Sequence, residues 1–189
     1  MEVFALTHGQ FSLVDALDYL AIQSGPCALS INTWTASADD ITRMHALLAA
    51  GVFTSVRWLI DRSYATRKPA DCALLRDLFG DATIRTSRTH AKFMTLRNDV
   101  FTIAVRTSMN LNENNGMEHI EISDDRGLCD FLDAEFDRYF AEYSASLFDV
   151  GLLGEKPTIA TASAEKTPIA AGTASGKRII DAPVLKPRR

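Results

Sequence analysis

One stretch, residues 89–122, constrains the fold of this chain more than any other. It reads THAKFMTLRNDVFTIAVRTSMNLNENNGMEHIEI. Residues 93–96 and 100–105 are apolar runs divided by Arg97-Asn98-Asp99, a polar break of the kind that turns a β-hairpin. Successive residues of a strand face opposite ways, so His90 and Lys92 share a face. The second run ends in Ser108-Met109-Asn110, again two polar residues with one between them. If residues 91–96 pair with 101–106, His90 and Lys92 open one strand, and Ser108 and Asn110 close its antiparallel neighbour. Four polar groups then meet at one edge of a sheet. An imidazole, an ammonium, a hydroxyl and an amide in one place suit a tetrahedral oxyanion.

Upstream of this stretch, helical and strand patterns alternate. Residues 11–24 have apolar positions at Leu13, Ala16, Leu17, Leu20 and Ala21, a helical spacing, with Ser12 as cap and Asp15 in the first turn. Gly25-Pro26 stops this helix, and 27–33 follows as a strand ending at Trp34. A second helix over 39–50 closes at Gly51, and 52–61 reads as a buried strand. Residues 62–68 are polar and read as a loop, 69–79 as a helix with Pro69 in its first turn, and 82–85 as a short strand. Beyond the hairpin, 117–123 is a further strand. The clearest helix is 124–144, where Leu128, Phe131, Leu132, Phe136, Tyr139, Phe140 and Tyr143 form an apolar stripe. Strands alternating with helices imply a parallel portion of sheet, and the hairpin adds an antiparallel one. The expected fold is α/β, a mixed sheet flanked by helices on both faces.

Composition changes after Gly154. Residues 155–189 are rich in Ala, Thr, Ser, Pro and Lys and contain no aromatic residue, so they cannot bury enough apolar surface to offset ordering entropy. The domain is therefore expected over 1–150 and a disordered tail over 151–189. That tail carries seven Lys/Arg against three Asp/Glu, a balance of +4, which leaves −8 on the rest of a chain whose net charge is −4. Lys177, Arg178, Lys186, Arg188 and Arg189 would be its contacts if it tethers nucleic acid or a partner. An acidic body is unusual for a protein that holds DNA by phosphate contacts alone. Three widely spaced cysteines, Cys27, Cys72 and Cys129, fit reduced thiols in a cytoplasmic protein, and none has metal-ligand spacing. The first ten residues lack the basic and apolar blocks of a signal peptide. No apolar run approaches the roughly 20 residues needed to span a membrane as a helix.

The series His90-x-Lys92, apolar hairpin, Ser108-x-Asn110 and then a Glu before another strand resembles the signature of the phospholipase D superfamily. Three departures stand out. Arg97 occupies the place of the family's usual Asp, with Asp99 close by; Thr107 replaces the usual Gly; and the hairpin is a few residues longer. The resemblance implies a phospholipase D-like fold and a phosphodiesterase that needs no metal or cofactor and works through a phosphohistidine. His90 is the one residue of the cluster that can act as a nucleophile near neutral pH without a metal. Lys92 and Asn110 suit binding of phosphate oxygens, and Ser108 suits orienting the phosphate or an imidazole. The resemblance assigns the carboxylate that orients His90 to the Glu after Ser-x-Asn. Glu121 has the usual spacing from Ser108, but Glu118 stands just before the apolar strand, as the family's Glu does. Glu118 is preferred and Glu121 is the alternative. His8, His45 and His119 show no partner pattern.

The superfamily brings two histidines together from two motif copies, and this chain has one copy. A homodimer with His90 facing its equivalent is therefore implied. Single-copy members of the superfamily include non-specific endonucleases, which makes a nuclease acting on DNA or RNA the first expectation. The rivals are a phosphodiesterase of phospholipid headgroups and a catalytically inactive phosphodiester-binding module. Trp34, Trp58 and Phe101 are the aromatic residues available to line a lipid cleft, although core packing accounts for them more simply.

Overall fold

The computed structural model describes residues 1–143. The predicted end of the domain near 150 and the predicted tail lie outside the described residues.

Among the described residues, seven strands and five α-helices follow in the order β1 (Glu2–Thr7), α1 (Leu13–Ser24), β2 (Cys27–Thr33), α2 (Ala38–Ala49), β3 (Phe53–Asp61), α3 (Tyr64–Arg67), α4 (Pro69–Phe79), β4 (Ile84–Ser87), β5 (Phe93–Arg97), β6 (Thr102–Thr107), β7 (Glu118–Ser123) and α5 (Arg126–Glu142). They build one sheet in the order β1-β7-β6-β5-β2-β3-β4. Strands β2, β3 and β4 are parallel, and β5, β6, β7 and β1 continue the sheet in antiparallel fashion. The mixed sheet expected from the alternating patterns is the one observed.

Helix ends follow local chemistry. At α1, Ser12 accepts from the Asp15 backbone N–H and the Asp15 carboxylate accepts from the Ser12 N–H, a reciprocal capping box. At the end of α2, Gly51 adopts φ 74°, its N–H donates to Leu48 O, and the Val52 N–H reaches back to Leu47 O. Only a residue that tolerates a left-handed conformation closes a helix in this way. Asp125 caps α5 by accepting from the Leu128 N–H.

The two faces of the sheet are covered differently. Alternate residues of the central strands, such as Leu29, Ile31, Trp58, Ile60, Met94 and Val105, pack against α1, α2 and α4 in one continuous core. On the other face lies α5 alone among the described residues. Its Cys129 and Leu132 close over Ala104, and Phe136 meets Phe93 edge-on at 5.5 Å. Phe131, expected in the buried stripe, is 44% exposed, and the buried line is Cys129, Leu132 and Phe136. The rest of this contact is polar. The Asp133 carboxylate accepts from Thr95 Oγ1 at 2.5 Å and from Arg97 Nε at 2.9 Å, Arg97 also reaches Asp130 at 2.6 Å, and Arg57 bonds Asp137 at 2.6 Å.

Three details differ from the sequence-based expectation. Strand β1 was not anticipated: Val3, Phe4 and Leu6 are all exposed on this edge strand, which obscures its alternation. Residues 62–68 contain the one-turn helix α3, held by Tyr64, whose side chain is buried and whose hydroxyl donates to Ala36 O at 3.0 Å. The hairpin pairs Phe93 with Arg106 and Arg97 with Thr102, two residues out from the expected register. Arg97 is drawn into the strand by its carboxylate partners on α5, and Asn98 makes the turn by accepting from the N–H groups of Val100 and Phe101. A shift of two residues preserves which side chains share a face.

Candidate active site

The parallel strands β2, β3 and β4 end at one edge of the sheet, where β5 and β7 begin and β6 ends. The residues preferred for the site lie on or just beyond this edge, and the alternative carboxylate Glu121 lies three residues further into β7. His90 and Lys92 precede β5, Ser108 and Asn110 follow β6, and Glu118 opens β7.

The loop that carries His90 is held by its neighbour Thr89. The Thr89 N–H donates to Asp61 Oδ2 at 3.1 Å, and Thr89 Oγ1 accepts from Asn32 Nδ2 at 3.3 Å and from the Ala91 N–H at 3.1 Å. Asn32 and Asp61 belong to β2 and β3, so the sheet itself positions this loop. His90 is exposed, and its ring lies 5.5 Å from the ring of Trp34. Lys92 is 9% exposed, and its ammonium donates to His90 O at 2.9 Å and lies 3.3 Å from His90 Nδ1. Burial lowers the pKa of Lys92 below the ordinary lysine value, and the negative charge of Glu118 pushes it back up.

Ser108 and Asn110 are placed by the alternation of their neighbours. Met109 and Leu111 are buried, at 7% and 0% exposure. Leu111 bridges to Ala36, and its carbonyl accepts from the Ser37 N–H at 2.6 Å, which ties this segment to the end of β2. Ser108 exchanges two bonds with the His119 backbone, donating from its N–H at 3.2 Å and accepting on Oγ at 3.0 Å. Asn110 Oδ1 faces the Thr33 hydroxyl at 3.5 Å, so its amide N–H groups remain for a ligand.

Thr107 accounts for its own departure from the family's Gly. It lies in regular strand conformation, and no residue other than Gly has a positive φ among the described residues. Its buried hydroxyl donates to His119 O at 2.5 Å and accepts from the Met109 N–H at 3.0 Å. Arg97 sits at the far end of β5 from His90 and serves the docking of α5.

The two candidate carboxylates differ in surroundings. Glu121 is paired with Arg106 at 2.6 Å. Glu118 accepts from Asn114 Nδ2 at 2.5 Å, lines a groove with Asn110, and acts on Lys92 through its charge. Neither makes a hydrogen bond to His90 among the described residues. Of the aromatic residues weighed for a lipid cleft, Trp58 is fully buried in the core and Phe101 lies at the hairpin turn, opposite the site; Trp34 alone stands beside His90. His119 stacks on Phe4 at 5.9 Å, and His45 meets Phe79 edge-on. Sequence reading missed the positioning roles of Asn32, Asp61 and Thr89. The one signal was a carboxylate at the end of a buried strand.

Sheet order, flanking helices and the placement of this edge define a phospholipase D-like fold. Nuc from Salmonella typhimurium, a phospholipase D family member, superimposes with a TM-score of 0.52 and 17% identity, over 75% of this chain and 96% of that one. NucT from Helicobacter pylori gives 0.56 and 12% identity, over 76% and 99% of the two chains. Polyphosphate kinase from Porphyromonas gingivalis gives 0.55 and 14% identity, over 77% of this chain and 27% of the kinase. The chain matches no protein-family model, and no curated protein matches it significantly.

Proposed function

We propose that this chain is a phosphodiesterase that forms a phosphohistidine at His90 without a metal, and that its substrate is nucleic acid. The observation that carries this reading is the exposed His90 imidazole with the Lys92 ammonium 3.3 Å from its ring and Ser108, Asn110 and Glu118 at the same sheet edge. An ammonium beside Nδ1 favours the tautomer with its proton on Nε2. A bound phosphodiester draws Lys92 to its own oxygens. Nδ1 then carries the proton, toward the Glu118 carboxylate, and the Nε2 lone pair is free for phosphorus. A P–N bond forms as the P–O bond to the leaving group breaks. His90 of the partner subunit protonates that oxygen and then takes a proton from the water that cleaves the P–N bond.

The test is turnover of bis-p-nitrophenyl phosphate, single- and double-stranded DNA, RNA and phospholipid vesicles, in EDTA. His90→Ala should lose about 10³-fold or more in kcat while keeping most binding, because the imidazole acts in the covalent step. Lys92→Ala should lose both, because it meets the phosphate in ground and transition states alike. Activity abolished by chelation and restored by Mg²⁺ would overturn this mechanism.

A further inference from the structure

The edge that carries His90 has two flanks of opposite charge. On one flank is a groove of about 790 Å³. Among the described residues, its charged lining is Asp15, Asp39, Asp40, Glu113 and Glu118 against the single cation Arg43, which is itself paired with Asp15 at 2.5 Å. Beyond the scissile phosphate at Asn110, further phosphates of a polyanion are repelled there.

On the other flank, β3 and β4 end side by side at the register pair Asp61 and Ser87. The next residues are Arg62 and Arg88. The Arg62 N–H donates to Ser87 O at 2.7 Å, and Thr89, just after Arg88, donates to Asp61 at 3.1 Å. Both arginines therefore leave the sheet together, and Arg88 stands two residues before His90. Both are exposed, and neither side chain has a hydrogen-bonding or ionic partner among the described residues. Arg67 joins them from α3. Its guanidinium stacks 3.7 Å over the Trp34 ring, with Nε on Ser63 Oγ at 2.9 Å and Nη2 on Trp34 O at 2.8 Å. Nη1 is left for a ligand. Trp34 in turn lies against His90. Of the carboxylates on this flank, Asp61 is occupied by Ser63 and Thr89, and Asp71 lies in the first turn of α4.

The geometry points to a phosphate-binding shelf made by Arg62, Arg67 and Arg88, which holds the phosphate next to the scissile one in a polynucleotide strand. Trp34 links this shelf to His90. The assignment rests on the reading of His90 as a phosphodiester site and adds to it a site for the neighbouring phosphate and a direction of approach. The strand enters over the ends of β3 and β4 and avoids the acidic groove. Three planar guanidiniums serve flanking phosphates better than a lone diester, which offers them no second anion.

Binding of a fluorescein-labelled oligothymidylate, followed by anisotropy in the His90→Ala background, tests the shelf without requiring turnover. Arg62→Ala with Arg88→Ala should weaken binding roughly tenfold and reduce the slope of log K against log salt concentration by about 0.7 for every phosphate no longer held. Arg67→Ala should weaken it likewise, with partial recovery in Arg67→Lys. Arg126→Ala, an exposed arginine of equal charge at the start of α5, should leave affinity unchanged. Equal affinity in the shelf variants, or an equal loss in Arg126→Ala, overturns the shelf. Binding of anionic vesicles but not of the oligonucleotide, dependent on Arg62 and Arg88, overturns the nucleic-acid assignment. Turnover of bis-p-nitrophenyl phosphate by the wild type tests the reaction separately. Shelf-dependent binding without any turnover would sink the phosphodiesterase and keep the shelf.

Discussion

At the scale of single residues, Lys92 and Glu118 are coupled in a way that pH reveals. Lys92 must be charged to hold a phosphate oxygen, so activity should fall as pH rises through its pKa. Burial has already moved that pKa down, and Glu118 opposes the move. Glu118→Gln removes the opposition, and the alkaline limb of kcat/KM should shift to lower pH. Glu121→Gln should leave it in place, because that carboxylate is engaged by Arg106. A limb that does not move in Glu118→Gln would mean that the carboxylate does not act on Lys92. Thr107 offers a second residue-scale test. Valine keeps its shape but strands the Met109 N–H in a buried position. Thr107→Val should therefore cost about 1–3 kcal/mol, read as a lower Tm, and should raise KM as the segment carrying Ser108 and Asn110 loosens.

At the scale of elements, the docking of α5 explains why an arginine stands where the superfamily has an aspartate. The helix presents Asp130, Asp133 and Asp137 to the sheet, and Arg97 and Arg57 answer them. An aspartate at position 97 would face two carboxylates. Arg97→Asp should accordingly destabilise the protein more than Arg97→Ala does. A double-mutant cycle of Arg97→Ala with Asp133→Ala, measured by urea unfolding, should give a coupling of about 0.5–3 kcal/mol. Additive effects would show that apolar packing of Phe136 and Leu132 holds the helix without help. The effect on turnover should be small, because β5 carries Arg97 at the end away from His90.

At the scale of the whole molecule, one motif copy supplies one histidine, and the proposed chemistry uses two. Phe4, Leu6 and Met117 are exposed at 64%, 55% and 66%, along β1 and just ahead of the start of β7 that carries Glu118. A twofold contact there would cover apolar surface and bring two sites together; a stable one needs at least about 1,000 Å². Wild type mixed with excess His90→Ala should then lose activity faster than dilution predicts, as wild-type subunits are trapped in heterodimers. Loss in strict proportion, or full activity in a species that sediments as a monomer, would remove the composite site.

Much of this architecture could be read from periodicity and punctuation. The capping residue Ser12, the Gly51 helix stop and the alternation through 93–107 depend on neighbours close in sequence, so local rules placed those elements within a residue or two. That the segment opening with Lys92 lies beside Thr107, at the open end of the hairpin, was legible for the same reason: a hairpin is a local object, and its two ends must meet. What the sequence could not disclose depends on contacts between distant parts of the chain. The pairing of β1 with β7 joins residues more than a hundred positions apart, and its exposed apolar side chains give no face to read. The role of Arg97 appears only once α5 lies over β5. The stack of Arg67, Trp34 and His90 brings three separate loops to one edge, because β2, β3 and β4 run parallel and so end together. Local pattern chose the elements and one half of the site, and the direction of the strands in the folded sheet chose which other loops stand beside it.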